Sequence, residues 1–166
     1  VGKSRLVREF IDDAAGSARI LTGNCLAYGI GITFWPLLRA VQSAAGITET
    51  DDASAARARL ASMLIDVPVG RDEVLVRLES LLGLNDVPFP VGELTWGLRQ
   101  FFEHLARERP LVIFVDDVHW ADTGSLELLH YLGRRMRELR PPAAGGVLRV
   151  ELLDVVLLLK VRSVYS

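Results

Sequence analysis

The chain has a single cysteine, Cys25, in 166 residues. No internal disulfide can form, and a cysteine-rich metal site is excluded. Lysine is rare, and a formal net charge of −2 leaves no basic footprint for nucleic acid. Long apolar runs are also missing. The longest, residues 155–159, is bounded by Asp154 and Lys160 and falls far short of the roughly 18 residues that span a bilayer. No charged segment precedes an apolar one near the start, so no signal peptide is read. What is present is ordinary for a folded domain: 50% of the residues are hydrophobic and 24% charged. A chain of this length can bury roughly two-thirds of its unfolded surface. It opens on Val1-Gly2-Lys3-Ser4 without an initiator methionine. The expectation is an intracellular, cytoplasmic piece of a longer protein.

Hydrophobic periodicity alternates between helix and strand. Residues 4–15 predict an amphipathic helix with Leu6, Val7, Phe10, Ile11 and Ala14 on one face, ended by Gly16-Ser17. A short strand is expected over 18–25, then a glycine-containing loop over 27–32. A helix over 33–45 has Pro36 in its first turn and Gly46 after its end. Asp51 and Asp52 can cap a helix over 53–64. Helices follow over 71–82, stacking Val74, Leu75, Leu78, Leu81 and Leu82, and over 93–107, with Leu94, Leu98, Phe101, Phe102 and Leu105 inward. Residues 111–115 are five apolar residues in a row, which fits a strand buried on both faces of a parallel sheet. A helix over 124–139 presents Leu126, Leu129, Leu132 and Met136. Residues 141–146 read as a turn or linker, and 147–161 can supply one more strand. The alternation favours an α/β layered sheet.

Two segments carry chemistry. Gly2-Lys3-Ser4, leading into a helix, matches the end of the phosphate-loop pattern G-x-x-x-x-G-K-[ST]. Backbone N–H groups at a helix N-terminus face phosphate oxygens, where the helix dipole is positive. Gly2 permits close approach of the backbone, Lys3 reaches the β- and γ-phosphates, and Ser4 offers a hydroxyl to Mg²⁺. The alternative is a solvated lysine before a helix. The second segment is the strand 111–115 followed by Asp116 and Asp117. Ligands of parallel sheets bind beyond the carboxyl ends of strands. Asp116 is therefore the candidate magnesium acid and Asp117 the candidate that polarises the attacking water. The alternative is that both aspartates cap the next helix or solvate the strand end.

Together these residues resemble one family. The run Gly2-Lys3-Ser4-Arg5-Leu6, the stretch from Gly23-Asn24-Cys25 through Gly31-Ile32-Thr33-Phe34-Trp35-Pro36-Leu37, and Val115-Asp116-Asp117-Val118-His119-Trp120-Ala121-Asp122 carry the likeness. The chain resembles the AAA-like, STAND-type P-loop ATPase module of bacterial LuxR-type and SARP-like transcriptional activators and of ATPase-linked adenylate or guanylate cyclases. That resemblance implies a P-loop NTPase three-layer sandwich over residues 1–140, with residues 141–166 as a tail. It implies ATP and Mg²⁺ as ligands. Gly2, Lys3, Ser4 and Asp116 would bind the nucleotide, Ser4 and Asp116 would hold the metal, and Asp117 would be the catalytic acid. It also implies self-association through the module, nucleic-acid contact only through a further output domain, and no membrane contact.

Other residues in these runs take plainer roles. Trp120 is expected to be a packing anchor, His119 a capping or packing residue, and Asp122 the N-cap of the following helix. Residues 28–37 are expected to line the core, and Cys25 to be buried rather than reactive. Arg134, Arg135 and Arg137 read as a solvated helix face. The sequence departs from the family at both ends. The first loop glycine and the strand before it are not in the chain, and residues after about Arg140 do not resemble the family's continuation. The fragment is expected to bind ATP weakly for that reason. The functional expectation is an ATP-binding, slowly hydrolysing switch module. The alternative is a nucleotide-binding oligomerisation module that does not turn ATP over, and a third class is a metabolic kinase.

Overall fold

The computed structural model describes residues 2–25, 34–67, 69–138 and 155–159. The chain order is α1 (Gly2–Ala14), β1 (Arg19–Asn24), α2 (Trp35–Ala45), α3 (Ala53–Met63), α4 (Arg71–Leu81), α5 (Val91–Glu108), β2 (Leu111–Asp116), a 3₁₀ turn (Val118–Trp120), α6 (Thr123–Glu138) and β3 (Val155–Leu159). The strands form one parallel sheet in the order β1-β2-β3. Arg19 pairs with Leu111 and Asn24 with Asp116, while Leu111 pairs with Val155 and Val115 with Leu159. The α/β class and the interior place of the 111–115 strand follow the sequence expectation. A third strand forms although its sequence does not resemble the family's continuation.

The core lies where helices meet one face of the sheet. Leu21 of β1 and Leu111, Ile113 and Val115 of β2 are buried there with Leu37 and Val41 of α2, Leu98, Phe101, Phe102 and Leu105 of α5, and Leu60, Val74 and Leu78 of α3 and α4. A fully buried leucine or phenylalanine contributes about 1.5–3 kcal/mol, so this cluster dominates the stability of the described part. Helix ends follow the sequence closely. Pro36 sits in the first turn of α2, and Gly46 ends that helix with φ 66°, its N–H bonded to the carbonyl of Ser43. Gly23 has a different purpose: a Cβ there would lie 2.1 Å from the Pro36 carbonyl oxygen. The α2 backbone rests directly on β1 because position 23 has no side chain.

Four expectations are corrected. Phe10 of α1 is 41% exposed, because among the described residues only β1 is packed closely against this helix. Leu6 and Val7 of the same face have side chains outside those described. Asp52 alone caps α3, accepting the Ala55 N–H at 2.7 Å. Asp51 instead accepts the N–H and hydroxyl of Thr48 at 2.7 and 3.0 Å and pairs with Arg59 at 3.3 Å. Leu126 of α6 is 44% exposed, while Ser125, Leu128 and Leu129 face inward. A step of one residue turns a helix by about 100°, so burying Ser125 sends Leu126 outward. Trp120 is 49% exposed. The 3₁₀ turn buries Val118 in the core and directs Trp120 away from it. The side chains of Leu132, Met136, Arg134, Arg135, Arg137 and His119, and the loop and linker expected over 27–32 and 141–146, lie outside the described residues.

The Gly23 contact yields a direct test. Gly23→Ala should force α2 off β1 and lower the unfolding free energy by roughly 1–3 kcal/mol, the usual range for an overpacked core. Urea denaturation of the two chains measures the difference. An unchanged midpoint would refute the close approach.

Candidate functional site

The end of β2 is built by alternation. Leu111, Ile113 and Val115 point into the helical core, so Asp116 falls on the opposite face with Phe114. Register places Thr22 beside Phe114 and Asn24 beside Asp116. These four residues line an open pocket of about 410 Å³, which Arg39 and Gln42 of α2 also border. Arg39 donates to the Gln42 side-chain oxygen at 3.1 Å, and its guanidinium lies 5.9 Å from the centre of the Trp35 ring. Neither polar residue carries a motif signal, since polar residues on a helix face are ordinarily solvated.

Asp117 follows in a left-handed conformation, φ 52° and ψ 40°. Aspartate tolerates this region better than most residues because its side chain bonds locally. The turn is also held through its backbone: the Asp117 N–H donates to Asp116 Oδ1 at 2.7 Å. Both carboxylates are half-buried. The Asp117 carbonyl accepts the Trp120 N–H at 2.9 Å, which closes the 3₁₀ turn. Asp122 then caps α6, its Oδ1 accepting the Ser125 N–H at 2.9 Å. That agrees with its expected role.

Two features of this region escape a reading of motifs. Ser125 is fully buried. Its hydroxyl donates to Asp122 Oδ2 and accepts the backbone N–H of Phe34 at 3.0 Å. Phe34 itself is buried and has φ 67°, a region that costs a non-glycine residue on the order of 1–2 kcal/mol. A serine at the third position of a helix otherwise apolar on that side is the one available sequence signal. Phe34, Pro36 and Leu37 line the core as expected; residues 28–33 lie outside the described ones.

Gly2, Lys3 and Ser4 form the first turn of α1. The first N–H groups of any helix lack intrahelical acceptors, and those of Lys3 and Ser4 stand at such positions. Their side chains lie outside those described. No group of three or more His, Cys, Asp or Glu that could hold a metal ion occurs among the described residues, and no described helix is long and apolar enough to cross a membrane.

Cys25 closes β1, with its N–H donating to the Asp116 carbonyl at 3.1 Å. Its thiol is buried, and burial pushes its pKa from 9.0 to about 11, with Asp122, Asp117 and Asp116 adding repulsion. The thiol is thus inert, as expected. The folded pKa lies above the unfolded one, so the stabilisation is complete below pH 9 and is lost as pH rises toward 11. Thiol labelling at pH 8 should run about 100-fold slower on the native chain than on the urea-unfolded chain. The native chain should lose stability between pH 9 and 11 more steeply than Cys25→Ala does. Equal labelling rates, or parallel pH profiles, would contradict this placement.

Comparison with known proteins places the chain. No curated protein and no solved structure matches it. The model of the AAA ATPase domain family matches residues 1–144, which take in α1 with Gly2-Lys3-Ser4, β2 with its two carboxylates, and α6. By that match over most of its length, the chain belongs to the AAA ATPase domain family.

Proposed function

We propose that the chain is an ATP-binding, slowly hydrolysing switch module of a bacterial signalling or transcription regulator. One observation carries it: Asp116 and Asp117 stand together at the carboxyl end of the central strand of a parallel sheet, the place where such sheets bind ligands. Membership of the AAA ATPase domain family supports nucleotide chemistry there. In this reading Gly2, Lys3 and Ser4 hold the phosphates, Ser4 and Asp116 hold Mg²⁺, and Asp117 orients water. Residues 1–140 form the ATPase part, and residues 141–166 a tail that contributes β3. The module acts in the cytoplasm, self-associates, and meets nucleic acid only through an output domain of the LuxR, SARP or cyclase type.

The residues fit the ligand. Magnesium keeps several waters and takes one or two protein oxygens beside the phosphates. A hydroxyl at Ser4 and a carboxylate at Asp116 are hard oxygen donors of that kind. When bound, the ion offsets phosphate charge. The protein's own part is to bind, to orient and to hold a carboxylate near the attacking water. Asp117 suits the last task because its backbone is fixed on both sides, by Asp116 Oδ1 and by the closure at Trp120. A module that binds without turnover remains the second reading, since holding nucleotide requires the phosphate and magnesium groups and not Asp117.

In a chain carrying the whole phosphate loop, one substitution tests nucleotide binding, which both readings require, and a second separates them. Lys3→Ala should weaken Mg-ATP binding tenfold or more by calorimetry, about 1.4 kcal/mol. Equal affinity would end the assignment of the loop. Asp117→Asn should lower kcat strongly while ATP affinity stays within a few-fold, because a group that orients water acts in the transition state. Turnover at the wild-type rate would make Asp117 structural and favour the second reading.

A further inference from the structure

Two non-glycine residues among those described have positive φ, Phe34 and Asp117. They are far apart in sequence, yet a chain of hydrogen bonds that starts at Phe34 ends at Asp122, five residues along the backbone from Asp117. From Phe34 it runs through the backbone N–H to Ser125 Oγ, and from the Ser125 hydroxyl to Asp122 Oδ2. Asp122 ends the segment that begins at Asp117 and is closed by the bonds from Trp120 N–H to the Asp117 carbonyl and from Ala121 N–H to the Val118 carbonyl, each 2.9 Å. Strained backbone persists only where its surroundings over-determine it.

The Ser125 hydroxyl is not needed to cap α6. Its own N–H already satisfies that role on Asp122 Oδ1, and the Leu126 N–H bonds the Asp122 carbonyl at 3.0 Å. The hydroxyl adds a link between two strands' connections. It donates to a carboxylate, which polarises it and makes it a better acceptor for Phe34. It lies in the core with no exposed surface, so no water competes for either bond.

From this geometry we infer that Ser125 is a positioning residue: it locks the strained turn carrying Asp117 and the strained entry into α2 at Phe34 into a single unit. The inference deepens the proposed ATPase reading, since the carboxylate held in this way is the candidate catalytic one. Ser125 touches no reacting group and acts through Asp122 and the 3₁₀ turn. Phe34 therefore biases the geometry of Asp117, and whatever moves Phe34 alters turnover.

The test has two arms in the full-length protein. In the first, amide hydrogen exchange is followed without nucleotide. Ser125→Ala should speed exchange at Phe34, Leu37 and Leu38 and, together with them, at Trp120 and Ala121, each by about tenfold or more. Ser125→Cys keeps a weaker acceptor and should show a smaller increase at both places; it carries the test should the alanine chain fail to fold. In the second arm, ATP turnover should fall about tenfold in kcat for Ser125→Ala, with KM within about twofold, and less for Ser125→Cys. A helix-capping or packing role predicts otherwise. Faster exchange at Phe34 alone, or a lowered melting temperature with kcat unchanged, overturns the inference. If the wild-type protein shows no turnover, the ATPase reading fails, and the exchange arm alone decides whether the two turns are coupled.

Discussion

The structure depends on the burial of β2. Four of its five apolar residues are buried and Phe114 is half-buried at the pocket, so the strand is interior, with a neighbour on each edge and helices over the face of Leu111, Ile113 and Val115. Interior placement fixes the direction of the chain. In a parallel sheet every strand ends at the same edge, and the residues that follow β1 and β2 are brought together there. Asp116 and Asp117 are thus at the carboxyl edge of the sheet, the candidate site, because the five residues before them are apolar and buried or half-buried. The same strand holds Asn24 beside Asp116 and puts Cys25 next to three carboxylates.

At that edge, backbone N–H groups meet carboxylate oxygens. The Asp117 N–H turns to Asp116 Oδ1, and the Ser125 N–H turns to Asp122 Oδ1. The carboxylates of Asp116, Asp117 and Asp122 together set a negative field around the end of β1. Cys25 feels that field as repulsion, in addition to its burial. The inert thiol and the candidate metal acid are two results of one electrostatic environment.

Much of this was legible in sequence, for reasons specific to each element. The strand 111–115 is legible because a short unbroken apolar run has few other homes. The ends of α2 are legible because Pro36 and Gly46 each restrict the backbone in one way. The acids at the end of β2 follow from the strand. Orientation within short turns was not legible. Val118 and Trp120 are both apolar, and only the 3₁₀ geometry decides which enters the core. The periodicity of α6 places Leu126 inward, since an apolar residue outranks a serine in any pattern. Two hydrogen bonds to Ser125 reverse that order. Positive φ at Phe34 has no signal in an aromatic side chain at all.

The parallel pairing of β1 with β2 has a consequence for how the chain reaches this state. Arg19 meets Leu111 only after α2 to α5 have been traversed, and Phe34 meets Ser125 across 91 residues. Closing so long a loop costs entropy before any strand contact repays it. Helices α4 and α5, by contrast, are sequential neighbours that pack on each other through local contacts. Proteins form local contacts fast and distant pairings slowly. Contact order therefore favours early contacts within the helical insertion between the two strands and later pairing at the sheet edge that carries the carboxylates. The site comes into being only once the whole described chain has committed to its topology.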